Sequence, residues 1–253
     1  FQLVFDEFKK FLGRSLTEGG ATQHAVTLAQ QVEQKEALAI QYTIELRKML
    51  ASMPVSDDVR DFLLTRRREL PPARRAQADD EEVVVVTAGD DVRLGVFIDG
   101  AVLSRLARRD PLRQLTGENI GDFWTALEGI SHFSYLMWNA GHDRGVSQFE
   151  LELQGEVDKY VASWWLLRRQ HPQHVPRELH HVLFERAKVN PSLDAPRREL
   201  YTTASRHAAR FCARLETSLA SGRPALRRAA LTALRRFYRL GSTRKLRQIE
   251  ALT

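Results

Sequence analysis

The chain has 253 residues, 43% apolar and 28% charged, with a net charge of +6 and one cysteine. That balance belongs to a globular protein and excludes a disordered one, and the length allows one large domain or two ordinary ones. The single thiol, Cys212, excludes an internal disulfide and a cysteine-based zinc cluster, and predicts a reducing, cytoplasmic setting.

No apolar run approaches the roughly 20 residues needed to cross a bilayer, so no transmembrane segment is expected. The opening residues, Phe1-Gln2-Leu3-Val4-Phe5-Asp6-Glu7, lack the basic start and cleavage site of a signal peptide. Charge is uneven along the chain. Between positions 196 and 250, 14 lysines and arginines stand against 3 acidic residues. Such a basic segment is either a solvated helix face or a surface for an anionic partner.

In chain order, Phe1, Phe5, Phe8 and Leu12 recur at helical spacing, and Gly13, Gly19 and Gly20 break that helix. From Ala21 to Ala51, Ala25, Leu28, Val32, Lys35, Ala39, Tyr42, Leu46 and Met49 follow a 3-4 pattern through four heptads. A narrow stripe of this kind predicts a coiled-coil-like helix that needs a partner, with Lys35 on the seam to set register. Pro54 ends it, and Ser56-Asp57-Asp58 starts a third helix through Val59, Phe62 and Leu63.

Three stretches carry a resemblance: Phe5-Asp6-Glu7-Phe8-Lys9-Lys10-Phe11-Leu12, Gln31-Val32-Glu33-Gln34-Lys35-Glu36-Ala37-Leu38-Ala39-Ile40-Gln41-Tyr42, and Pro54-Val55-Ser56-Asp57-Asp58-Val59-Arg60-Asp61-Phe62-Leu63. Residues 1–64 resemble a segment of the large helical proteobacterial proteins known as domain of unknown function sixteen-thirty-one. The resemblance implies a helix-rich fold and brings no catalytic residue with it. It ends where the chain turns to Thr65-Arg66-Arg67-Arg68-Glu69-Leu70-Pro71-Pro72.

Residues 65–82 read as a charged flexible linker, because opposite charge blocks flank a Pro-Pro pair that cannot continue a helix. Val83-Val84-Val85-Val86-Thr87 and Arg93-Leu94-Gly95-Val96-Phe97-Ile98 predict a β-hairpin around Ala88-Gly89-Asp90-Asp91. A helix through Val102, Leu103 and Leu106 follows. Thr116 to Asn119 start a helix that is apolar on nearly every face and ends at Ala140-Gly141, where glycine suits a left-handed cap. Ser147 starts its neighbour, whose stripe is Phe149, Leu153, Val157, Tyr160, Trp164 and Leu167. Further helices are expected at 176–187, 195–219, 223–240 and 242–252. The predicted fold is mainly α: an N-terminal helical hairpin or coiled-coil-like segment (1–64), the linker (65–82), then a small β-hairpin and an α-helical bundle with basic C-terminal helices (83–253).

Candidate chemistry is concentrated in one place. Glu128, His132, Tyr135 and Asn139 form a polar stripe inside the apolar helix, and Glu152 and Glu156 repeat the spacing of four on the next helix. Carboxylates and histidines converging from facing helices are how bundles build metal sites, so Glu128, His132, Glu152 and Glu156 form a candidate ligand set. The alternative for Glu128 and His132 is that they satisfy one another, with the Tyr135 hydroxyl added.

His142-Asp143 matches a metal phosphohydrolase dipeptide by composition alone, and reads first as a turn. His171, His174, His180 and His181 lack a cysteine or acidic partner at ligand spacing. Cys212, between Phe211 and Leu215, reads as a buried inert thiol. Arg227, Arg228, Arg235 and Arg236 lie off the apolar side of one helix and are candidates for anion or nucleic-acid binding. No phosphate-binding loop, nucleophile elbow or zincin motif occurs, so no cofactor is expected. The leading expectation is a non-enzymatic protein-interaction or regulatory module acting on a protein partner or as a homo-oligomer. The alternatives are a helical-bundle metal-dependent enzyme and a nucleic-acid binder.

Overall fold

The computed structural model describes residues 62–76, 78–88, 91–186, 193–221 and 223–251. The 1–61 helices, the heptad stripe and nearly all of the family resemblance lie outside the described residues.

The described part is mainly helical, with a small sheet preceding the helices. Strands β1 (Leu63–Leu64), β2 (Glu81–Ala88) and β3 (Asp91–Ile98) form that sheet in the order β1-β3-β2. β2 and β3 are the expected hairpin, antiparallel, with Val83 opposite Val96 and Glu81 opposite Ile98. β1 lies parallel to β3 on its other edge, which corrects the helix expected to run through Phe62 and Leu63: Leu63 is a strand residue paired with Val96. Two residues are too short for an alternating pattern, and only the sheet around them makes them a strand.

Residues 65–82, read from composition as a linker, carry several contacts. Glu69 accepts from the Thr65 and Arg66 amides. Arg67 pairs with Asp80 and Asp99, and Arg74 with Glu82. Leu70 and Ala78 are buried against Leu64, Val84 and Phe97. The charge blocks that suggest a solvated segment thus find each other across a turn, and Leu70 has an apolar site.

Helices α1 (Gly100–Arg108), α2 (Ile120–Ala140) and α3 (Gln148–Gln170) follow. Asp99 caps α1 by accepting from the Ala101 amide, and Ser147 caps α3 by accepting from the Glu150 amide. Asn119 precedes α2 without capping it. Its side chain instead accepts from the Thr116 amide and donates to the Arg109 and Gln114 carbonyls, so it stitches the α1–α2 loop. Gly141 closes α2 in a right-handed conformation (φ −65°), not the expected left-handed cap; Asp143 is the residue with positive φ (51°). An Asp tolerates that region better than most residues with a side chain.

Next come α4 (Glu178–His181), running into a π-helical turn at Val182–Arg186, then α5 (Ala195–Ala220), α6 (Pro224–Tyr238) and α7 (Ser242–Glu250). Asp194 caps α5, which has a proline in its first turn.

Two larger apolar cores accompany the small one around Leu70. One joins the sheet, α1 and α2 through Val96, Ile98, Leu103, Phe123, Ile130 and Phe133. The other joins α3, α5 and α6 through Val157, Tyr160, Trp164, Phe211, Leu215 and Phe237. Each such side chain, fully buried, contributes about 1.5–3 kcal/mol. Between the cores, the facing sides of α2 and α3 carry the polar residues. No helix among the described residues is long and apolar enough to cross a membrane.

Candidate metal centre

The α2–α3 loop folds the two helices back on each other. Positions spaced by four on α2 therefore meet positions spaced by four on α3. Glu128, His132 and Glu152 offer one donor atom each within 4.8 Å of one another. His132 Nε2 lies 3.8 Å from Glu152 Oε2. Two donors bound about 2.0–2.2 Å from one ion stand about 3–4.4 Å apart, so small side-chain adjustments bring the triad onto a common centre.

His132 is 7% exposed, yet its Nε2 has no hydrogen-bond partner. Buried polar atoms are normally paired, so this nitrogen calls for a partner. It reaches its place because α3 has Gly155 there: a Cβ would lie 3.0 Å from Nε2.

Around the triad, acids outnumber bases. Lys159 donates to Glu128 at 3.1 Å and to Glu156 at 2.5 Å. Ser205 and Tyr201 of α5 lie near Glu156 and Glu152 and favour their charged forms. Glu81 enters from β2 with a buried Oε2 that has no partner.

The electrostatics follow from this packing. Burial, with Glu128 and Glu152 nearby, pushes the Glu81 carboxyl well up. Burial and Glu128 push Glu152 up to about 8. Burial also raises Glu156, only partly offset by Lys159. Glu128 is the exception: burial would raise it, but Lys159 and His132 outweigh that, together with hydrogen bonds from Lys159 and Glu152, and it moves down. Burial holds His132 down, toward the neutral imidazole that a metal ligand must be. For Lys159, Glu128 and Glu156 overcome burial and push it up.

The expectation that Glu128 and His132 satisfy each other with Tyr135 is therefore corrected. Glu128 pairs with Lys159, His132 faces Glu152, and Tyr135 points elsewhere, donating to Glu150 at 2.6 Å. A helical turn between His132 and Tyr135 is enough to put them in different environments. Of the four expected ligands, Glu128, His132 and Glu152 converge, while Glu156 is taken by Lys159.

Tyr135 belongs to a second buried cluster. Ser131 and Gln154 donate to Asp158, at 2.6 and 2.8 Å, and Lys245 of α7 donates to Gln154 at 2.6 Å. The Lys245 ammonium also lies over the Tyr135 and Phe237 rings.

The other candidates are placed as follows. His142 is exposed, with Nδ1 2.7 Å from the Trp138 carbonyl. His171 and His174 are exposed, His180 contacts the Ala209 carbonyl and His181 contacts Glu185. Cys212 is fully buried, and burial pushes its thiol well up. Arg227, Arg228, Arg235 and Arg236 are exposed on α6, but Leu226 and Leu231 of the same helix are also exposed, 39% and 38%.

Sequence reasoning missed Glu81, Lys159, Tyr201 and Ser205. Lys159 sits three residues beyond Glu156, a spacing visible on paper; the α5 residues gave no such signal. No protein-family model matches this chain, and no curated protein or solved structure matches it.

Proposed function

We propose that the protein is a metal-binding helical bundle in which Glu128, His132 and Glu152 hold one divalent cation between α2 and α3. The observation that carries this reading is the orphaned Nε2 of His132, buried and set beside two carboxylates. One imidazole and two carboxylates suit zinc, manganese, iron(II) or cobalt(II), and the set contains no soft thiolate ligand. Three protein ligands leave coordination positions open, which suits a metal-dependent reaction. A reducing, cytoplasmic setting suits the lone thiol, Cys212.

The protein-contact expectation drew on the heptad helix of residues 21–51, outside the described residues, on the charged segment 65–82, which carries packed contacts, and on the lack of a complete catalytic set. The arginine expectation drew on a helix face that also exposes two leucines. Neither supplies a placed chemical group comparable to His132.

The test is elemental analysis and thermal unfolding of the purified protein after loading with each of these four metals. We expect one ion per chain, and stabilisation of about 2.7 kcal/mol at a free metal concentration 100-fold above Kd. Glu152→Gln and His132→Ala should abolish both. Absence of stoichiometric metal with all four ions would defeat the reading.

A further inference from the structure

Strand β2 carries a carboxylate where the pattern calls for an apolar residue. Strand residues alternate between faces. Val84 faces the small core of Leu64, Leu70 and Phe97, while Val83 packs against the core that contains α2. Glu81, two residues before Val83, shares its face. In register it stands opposite Ile98, which is fully buried in that same core. Burying a carboxylate among apolar side chains is costly unless something compensates the charge.

Helix α2 makes room for it. At the crossing point α2 has Gly129, where a Cβ would lie 2.9 Å from Glu81 Oε2, 3.2 Å from Val96 Cγ2 and 3.6 Å from Ile98 Cγ1. Gly129 is therefore a slot in which the carboxylate end of Glu81 rests against the helix. The neighbouring α2 position is Glu128, a member of the triad. Glu81 senses the charges of Glu128, Glu152 and Lys159, and Tyr201 senses Glu81, Glu128 and Glu152 together. Glu81 lies outside the group whose donor atoms stand within 4.8 Å of one another, so its carboxylate would have to swing toward the ion, but its Oε2 and His132 Nε2 are both buried without a partner.

We infer that Glu81 is a fourth ligand of the centre, delivered by the sheet at the Gly129 slot, so that a bound cation ties β2 to the α2–α3 pair. The inference rests on the proposed metal site. It adds a donor from outside the two helices, raises the carboxylates to three, and makes the hard-to-borderline cations manganese, iron(II), cobalt(II) and zinc the fitting class.

Cobalt(II) titration of the full chain tests it, because the position and intensity of the visible absorption report the number and geometry of the donors. Three proteins are compared: wild type, Glu81→Gln and Gly129→Ala. Glu81→Gln removes the anionic donor while keeping its shape. Gly129→Ala keeps Glu81 but sets a methyl group against its carboxylate, which can swing aside as the end of a flexible chain. It also places a better helix former in α2, so the helix is not weakened.

We expect wild type to bind one cobalt. Both variants should bind about 10- to 100-fold more weakly, with an altered visible spectrum. Wild-type affinity and spectrum in both variants would overturn the role of Glu81 and leave the triad standing. Failure of wild type itself to bind cobalt would overturn the metal site and this inference together. Unchanged circular dichroism confirms that either variant is folded, and a change confined to Glu81→Gln would assign the carboxylate but refute the slot.

Discussion

Two buried polar clusters lie along the facing sides of α2 and α3, and each holds one lysine. They use it differently. Lys159 sits between Glu128 and Glu156, and those carboxylates push it up, firmly charged. Lys245 has a neutral amide partner, Gln154, and two aromatic rings, and burial pushes it down to about 7 despite Glu150 and Asp158. The leftover atoms differ as well. Near Lys245 they are neutral groups, Asn139 Oδ1 and the Tyr238 hydroxyl; near Lys159 they are His132 Nε2 and Glu81 Oε2. One cluster leaves a histidine nitrogen and a carboxylate oxygen over, the other an amide oxygen and a phenol hydroxyl, and only the first pair are good metal ligands. The first contains the donor atoms of the proposed metal site, and the second ties Lys245 of α7 to Gln154 of α3.

The largest way to break this contrast is to remove the fixed charge. Lys159→Met leaves the half-buried Glu128 and Glu156 without their cation. It should cost about 3–5 kcal/mol at neutral pH, as removal of one partner from a buried pair does. Urea unfolding measures it. A loss below about 1 kcal/mol would mean that the two carboxylates do not depend on Lys159 and that the charge contrast is wrong.

The second cluster should show itself through pH. For Lys245, below about pH 7 both the folded and the unfolded chain hold the proton, and the folded chain bears a buried charge. Above that, the folded chain releases a proton that the unfolded chain keeps up to the ordinary lysine range. Stability contributed by Lys245 therefore rises with pH from about 7 upward. Asp158 acts in the opposite sense at lower pH. Burial pushes it up to about 6, so the folded chain keeps a proton that the unfolded chain has lost, and its contribution falls between the ordinary carboxyl range and about 6.

Together they place the weakest point of this cluster between about pH 6 and 7. Comparing wild type with Lys245→Met at pH 6.5 and 9.5 cancels the other titrating groups, Glu152 included. Wild type should gain roughly 1–3 kcal/mol relative to the variant over that interval, as judged by urea midpoints. A difference independent of pH would show that Lys245 is not held down.

These clusters also mark the limit of what the sequence discloses. The hairpin, the apolar α2 and the stripe of α3 were legible because alternation of two and spacing of 3.6 are local properties. Glu128, His132 and Glu152 were legible for the same reason, as spacings of four on neighbouring helices. Lys245 and Tyr201 were not, because they come from α7 and α5, and only the fold decides which faces they meet. Glu81 was hidden in another way. It stands in Asp79-Asp80-Glu81-Glu82, and an acidic run reads as solvated until the strand alternation turns one member inward. Tyr135 shows the converse error: helical spacing put it in one stripe with His132, but the partners across the interface divide that stripe in two.

The smallest expected effect lies outside both clusters. Arg105 of α1 and Asp122 of α2 form a two-bond pair, at 2.8 and 2.7 Å, shorter than the 3.1 Å from Lys159 to Glu128. By geometry alone it should be the stronger contact. The Arg105 side chain, however, is 45% exposed, and Lys159 only 9%. Glu128, Glu156 and Asp122 are about equally exposed, 21%, 17% and 20%, so the difference lies in the cations: water screens Arg105 but hardly reaches Lys159. Arg105→Ala should therefore cost under about 1 kcal/mol by urea unfolding, and less still in high salt, against several for Lys159→Met. If the two losses came out equal, burial would not be what separates the clusters from the surface. The orphaned atoms beside Lys159 would then lose their significance, because groups that water reaches need no cation to complete them.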